Sequence, residues 1–315
     1  MSDSPARTES SAAADAATQV FVDHRELLFS VAYNMLGSIP DTEDVLQETW
    51  LSWAGRSHGT ATAPARVDQP RAYLVRIAVN HALARREKIS RRRETYAGTY
   101  LPDPLVAGPA TAESADAAER ALRSESVSMA LLVVLETLTP LERAVFVLNE
   151  VFGYAHTEIA GILDRSPTAV RQLASRARRH IRARRPRYRA QPRVQRQVTE
   201  RFVAAALGGD LTTLLEILAP DVTLWTDGGD KGRSAPRPVH GRDKVARTLA
   251  GFAARTPEDL DVRYESVNGE SGAVVFTGDT PYAVMVMDLA PEGDGVSDVY
   301  IVTNPDKLHF AADDS

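Results

Sequence analysis

Twelve arginines and no acidic residue fall between Arg165 and Arg196, in a chain of 315 residues whose formal net charge is -5. Guanidinium groups gathered at that density suit a polyanion partner. The residues just before and within the run supply a geometry. Ile159, Ala160, Ile162 and Leu163 turn to one side of a short helix over 156–163, and Asp164-Arg165-Ser166 makes a turn. Ser166 suits the N-cap of a second helix, and Pro167 its first position, where the missing N–H costs nothing. Val170, Leu173, Ala174, Ala177 and Ile181 then form a buried stripe, which leaves Thr168, Ala169, Arg171, Gln172, Ser175 and Arg176 facing out. That is the layout of a helix-turn-helix whose second helix enters the major groove. Arg and Gln can make bidentate contacts to base edges. Arg178, Arg179, Arg182 and Arg184 are better placed for phosphates. A helical pair with a solvated basic face has the same periodicity, and the acid-free run of arginines decides for DNA.

Other chemistries find less support. Asp227 and Asp230 could serve as paired carboxylates only if burial raised the pKa of one of them. The glycines between them, Gly228 and Gly229, suggest instead a turn that something approaches closely. The seven histidines show no metal-ligand spacing, so neither a metal nor a cofactor is expected. Phosphate-binding glycine motifs are missing, as is cysteine, which removes thiol catalysis and agrees with a cytoplasmic location.

These residues need elements to carry them. The chain is long enough for two or three domains, and its charge is unevenly spread. Residues 1–197 hold 27 Lys and Arg against 22 Asp and Glu, a net of +5, while residues 198–315 hold 10 against 20, a net of -10. Residues 1–18 read as a disordered tail. From 19 to 96 the pattern is helical: one helix ends at Gly37, a second opens with Asp41 as N-cap, and a third starts at Pro70. Residues 97–120 are rich in Pro and Gly and read as an interdomain linker. Helical periodicity returns over 121–190. From 198 the texture is α+β, with strand-like runs at 221–225, 261–267, 272–278, 282–290 and 296–304. No stretch is long and apolar enough to span a membrane.

Two segments together resemble one family. The run from Leu138 to Ile181 resembles region 4, the promoter -35-binding domain, of bacterial extracytoplasmic-function sigma factors. The stretch 41–53 ("DTEDVLQETWLSW") with 70–94 resembles region 2 of the same family. The resemblance implies two all-α domains, core RNA polymerase and promoter DNA as partners, and no enzymatic activity. It places Asp44, Gln47 and Glu48 against the polymerase, with Val45, Thr49 and Trp53 packed inward. It places Asn80, Arg85, Arg86, Arg91 and Arg92 by the -10 element, and Thr168 to Arg179 at the -35 element.

The C-terminal part resembles the SnoaL-like (NTF2-like) fold, a curved sheet with helices closing a conical pocket. Sigma factors with this extension share three motifs, all present here: "YLPDPL" in the linker (Tyr100, Leu101, Pro102), Asp227-Gly228-Gly229 with Lys231, and Asn304-Pro305-Asp306-Lys307. The resemblance makes them a regulatory interdomain surface. Two other readings stand beside the sigma factor: a one-component DNA-binding regulator whose cone senses a small molecule, and an enzyme using the cone as an isomerase-like site.

Overall fold

The structure, a computed structural model, describes residues 5–57, 68–93, 96, 98–107, 127–182, 191–290 and 295–308. Contacts divide the chain into two units, residues 1–91 with 136–181 and residues 92–135 with 182–315.

In the first unit, helix α1 (Pro5–Leu36) begins inside the stretch expected to be a disordered tail. That stretch is rich in alanine, the best helix former, and Ala17 is buried with its carbonyl accepting the Trp53 indole N–H at 2.8 Å. The helix stops at Gly37, whose φ of 67° lets its N–H return to the Tyr33 carbonyl. Ser38, not Asp41, then caps α2 (Ile39–Ser57): its hydroxyl accepts the Asp41 N–H at 3.4 Å. Asp41 lies within the first turn instead, where its carboxylate pairs with Arg85. Val45, Thr49 and Trp53 are buried as expected. Helix α3 (Pro70–Arg93) buries Leu74, Val75, Ala78, Val79 and Ala82, an i, i+4 stripe packed without polar interruption.

The next two elements, strand β1 (Val106–Ala107) and helix α4 (Met129–Leu135), belong to the second unit. Back in the first unit, Thr139 and Glu142 form a reciprocal capping box at the start of α5 (Pro140–Phe146). A π-helical turn follows over Val147–Val151. Helices α6 (His156–Leu163) and α7 (Pro167–Arg182) complete the unit.

The second unit packs α8 (Pro192–Gly208), α9 (Leu211–Ile217) and α10 (Arg242–Ala253) on a mixed sheet. Its longer strands are β2 (Leu218–Asp227), β4 (Asp261–Val267), β5 (Glu270–Thr277), β6 (Thr280–Leu289) and β7 (Val296–Val302), with a short β3 (Val239–His240). Among the described residues the order is β1-β4-β5-β6-β7-β2-β3, with β2 and β7 parallel and all other neighbours antiparallel. Alternation along the strands builds two cores. Ala273, Val275, Met285, Val299 and Ile301 face the helices. Val274, Phe276, Val284, Val286, Tyr300 and Val302 face the other way, where Leu101 of the linker and Met129 and Ala130 of α4 cover them.

The described part of the expected linker is therefore a piece of this domain. Its residues add strand β1 to the exposed edge of β4, with Val106 opposite Val267. Asn268, at φ 50°, clamps the junction: its side-chain oxygen accepts the Leu105 N–H at 3.2 Å and its own N–H donates to the Leu105 carbonyl at 2.8 Å. Prolines at 102 and 104 bias this segment toward extended backbone, which suits addition to a sheet edge.

Candidate functional site

The helix-turn-helix has the expected form. Asp164 closes α6 in the left-handed conformation (φ 52°), and the Ser166 hydroxyl accepts the Ala169 N–H at 3.2 Å, capping α7 with Pro167 in first position. Val170, Leu173, Ala174, Ala177 and Ile181 are buried. Thr168, Arg171, Gln172, Ser175, Arg176 and Arg179 are exposed, and Ala169 is half-buried. Two arginines of this face are partly engaged. Arg176 lies 3.1 Å from Glu142, and Arg178 pairs with Glu150 at 2.6 Å while donating to the Asn149 side chain at 2.7 Å. Arg184 lies outside the described residues.

On α2, Asp44, Gln47 and Glu48 are exposed on one face, and Leu51, one turn on, is 62% exposed. Arg85 of α3 reaches into this face, donating to Asp41 at 2.7 Å and to Asp44, with Glu48 at 3.6 Å. Burial alone would lower the Arg85 pKa, but the hydrogen bond and charge of Asp41, then the charges of Asp44 and Glu48, raise it. Asn80 is exposed on the same helix. The side chains of Arg91 and Arg92 lie outside the described residues.

Arg86, expected beside the separated strand, is buried. It donates to Glu136 at 2.9 and 3.3 Å and to the carbonyls of Met35 and Leu36 at 3.3 and 3.4 Å. Arg143, also buried, donates to Glu136 at 2.5 Å and to the Asn34 carbonyl at 2.8 Å. Two guanidinium groups thus cap the C-terminal end of α1, where carbonyls lack helical partners, and share one carboxylate.

The three motifs of the second unit meet at one buried carboxylate. Asp227, fully buried, accepts the Tyr96 hydroxyl at 2.5 Å, the Leu101 N–H at 2.8 Å, the Gly229 N–H at 3.1 Å and the Lys307 ammonium at 2.9 Å. Lys307 also donates to the Leu101 carbonyl, lies 3.7 Å from Asp103, and sits 3.3 Å from the Tyr100 ring centroid. Asn304 donates to the Tyr96 hydroxyl at 2.8 Å. Its side-chain oxygen accepts the Asp306 N–H, which caps the 3-10 turn over Pro305–Lys307. Burial first, then the bond to Asp227, push the Tyr96 phenol pKa up.

Glycine is required here by contact. A Cβ on Gly228 would stand 2.6 Å from the Gly232 backbone, and one on Gly229, at φ 56°, 2.7 Å from the Asn304 amide. Pro102 is buried alongside Leu101, whereas Lys231 and Asp306 are exposed and pair with each other at 3.3 Å. Lys231 therefore stands outside the buried cluster that its motif neighbours form. Asp103, from the "YLPDPL" motif, joins the cluster through Lys307, while Tyr96 and Asn268 complete the cluster and the linker junction without having been legible as motif residues. Asp230 does not join Asp227 and is exposed, so no carboxylate pair forms.

The cone itself is filled by Leu249, Met285 and Ile301, and the cavity that remains among the described residues measures about 50 Å³. Small-molecule sites typically need about 300 Å³ or more.

Known proteins give these pieces a family. The model for Sigma-70 region 2 matches residues 20–93, that for Sigma-70, region 4 matches 128–181, and that for the SnoaL-like domain matches 199–302. The chain is 36% identical over 294 residues to the ECF RNA polymerase sigma factor SigJ of Mycobacterium tuberculosis, covering 90% of each chain. It is 30% identical over 288 residues to the probable ECF RNA polymerase sigma factor SigI of the same organism, covering 90% of this chain and 92% of that one. The crystal structure of M. tuberculosis SigJ superposes with a TM-score of 0.70 at 33% identity, covering 92% of this chain and 97% of the other. The two sigma regions, followed by a SnoaL-like domain on one chain, place this protein in the ECF sigma factors of RNA polymerase, the initiation factors that direct the enzyme to promoters.

Proposed function

We propose that this sigma factor docks on core RNA polymerase through Asp44, Gln47 and Glu48 of α2, reads the -35 element with the outward face of α7, and meets the -10 element with α3 around Asn80. Arg171 and Gln172 take base edges, since they stand exposed in the N-terminal half of the recognition helix. Arg179, exposed further along, takes phosphate. The protein catalyses no covalent step in this reading. It supplies promoter specificity and strand-separation energy to the polymerase.

The C-terminal domain regulates these contacts in cis. One observation carries this: Asp227 spends its buried carboxylate on Tyr96 and Leu101 of the linker. The linker joins regions 2 and 4, so the distance the two DNA-binding modules can span depends on whether it is docked. Met129 and Ala130 of α4, at the start of the region 4 match, belong to the same linker-facing core of the sheet. The sensor reading is weaker, given a cone with about 50 Å³ to offer. In-vitro transcription with core polymerase and a promoter library tests the proposal. Asp227→Ala in the full chain should change promoter-dependent output several-fold; unchanged output with intact polymerase binding would rule out cis regulation through this cluster.

A further inference from the structure

The sigma-factor resemblance places Arg85 by promoter DNA, yet its surroundings are acidic. Its three guanidinium nitrogens face three different carboxylates: Nε donates to Asp41 at 2.7 Å, Nη2 to Asp44, and Nη1 lies 3.6 Å from Glu48. Glu48 has a second neighbour in His81, whose Nδ1 lies 3.1 Å away, and Ser52 lies 3.3 Å from the other nitrogen of that ring. One guanidinium among three carboxylates leaves a net negative patch, which repels a phosphate. Two of the five N–H donors of Arg85 are committed to Asp41 and Asp44, and the guanidinium as a whole is turned toward the carboxylates of α2.

The carboxylates are not equivalent. The Asp41 side chain is 11% exposed and faces Arg85, while those of Asp44 and Glu48 are 50% and 46% exposed. A carboxylate offers about four acceptor sites, so one held by Arg85 can still receive an incoming donor. Holding it beforehand removes rotamer freedom that binding would otherwise have to remove. Freeing the three carboxylates would instead increase the long-range attraction for a basic partner, but that term is largely screened at physiological salt.

We propose that Arg85 is a positioning residue of the polymerase-docking face: it fixes Asp44 and Glu48 for cationic side chains of core polymerase, and it does not contact promoter DNA. The inference rests on the reading of α2 as the docking helix.

The full chain is tested against two probes, core polymerase and a single-stranded -10 oligonucleotide from a promoter that the unaltered holoenzyme transcribes. Arg85→Ala should weaken polymerase binding roughly tenfold at physiological salt and steepen its salt dependence, with oligonucleotide affinity unchanged. Arg85→Lys should restore part of the loss. In an Asp44→Ala background, Arg85→Ala should cost less than in the unaltered chain, because one of the groups it positions is gone; an unfolding defect would simply add. Polymerase binding as tight as the parent's or tighter, loss of oligonucleotide affinity, or fully additive losses would each overturn the proposal. If the unaltered chain itself fails to bind polymerase, the docking reading falls instead, and the two failures are told apart.

Discussion

Lys307 and Asp227 form an ion pair almost wholly withdrawn from water, 2.9 Å apart with side chains 7% and 0% exposed. They lie 80 residues apart in sequence, and the linker closes over both: Leu101 donates its N–H to Asp227 and receives the Lys307 ammonium on its carbonyl. A buried pair of this kind contributes little net stability, since desolvation offsets the attraction. Its value is in register. An apolar patch would accept the linker in several positions, whereas a carboxylate needing four donors accepts it in one.

Removing one partner should therefore cost far more than removing both. Lys307→Met leaves an unpaired buried carboxylate and should destabilise the second unit by about 3–5 kcal/mol. Lys307→Met combined with Asp227→Leu should recover much of that loss while releasing the linker. Urea unfolding reads the first effect, and protease cleavage within the linker the second.

The Tyr96 phenol gives a pH signature. Its folded pKa is raised, so the protonated form is the one that folding favours. That stabilisation is complete below the unfolded value of about 10 and is lost as pH rises from there through the folded value. The stability difference between the parent and Tyr96→Phe should be flat from pH 6 to 9 and shrink above pH 10. At neutral pH the hydroxyl's loss should cost about 1–3 kcal/mol, because Asp227 then lacks a donor.

Two glycines should respond in opposite directions to alanine. Gly228→Ala drives a methyl to 2.6 Å from the Gly232 backbone and should destabilise by about 1–3 kcal/mol. Gly161→Ala, inside α6 with open space around its Cβ, should stabilise by about 0.5–1 kcal/mol. Thermal unfolding of both variants checks the signs.

Much of this was legible in the sequence, and the exceptions have physical causes. The stripe of α7 and its Ser166-Pro167 start follow from helical periodicity and capping, which are local rules. The five longer strands were legible because β-branched residues alternate along them. The fate of Arg85 and Arg86 was not, because a basic run near DNA-binding residues looks the same whether a guanidinium faces solvent, a carboxylate or a helix end; the deciding groups, Asp41, Glu136 and the carbonyls of α1, are far away in sequence. The linker misled for a related reason. Proline and glycine signal departure from helix, but they serve an edge strand such as Val106–Ala107 as well as a free tether. Leu51 escaped notice because an exposed leucine on an amphipathic helix breaks no pattern until its burial is known.

At the -35 element the arginines should separate into two classes. Arg171→Ala or Gln172→Ala should relax selection at particular base pairs, each by about 1–3 kcal/mol. Arg179→Ala should weaken all promoters alike and lower the salt slope by about one. Binding-site selection at two salt concentrations distinguishes the classes.

The most direct measurement is run-off transcription by core polymerase with the purified chain, comparing the parent with Asp44→Ala/Gln47→Ala and with Leu51→Asp. The parent should yield transcripts starting at defined promoters, and both variants should lose them while remaining folded. Undiminished transcripts from variants that no longer present this face of α2, or none from a folded parent at any promoter, would contradict the assignment.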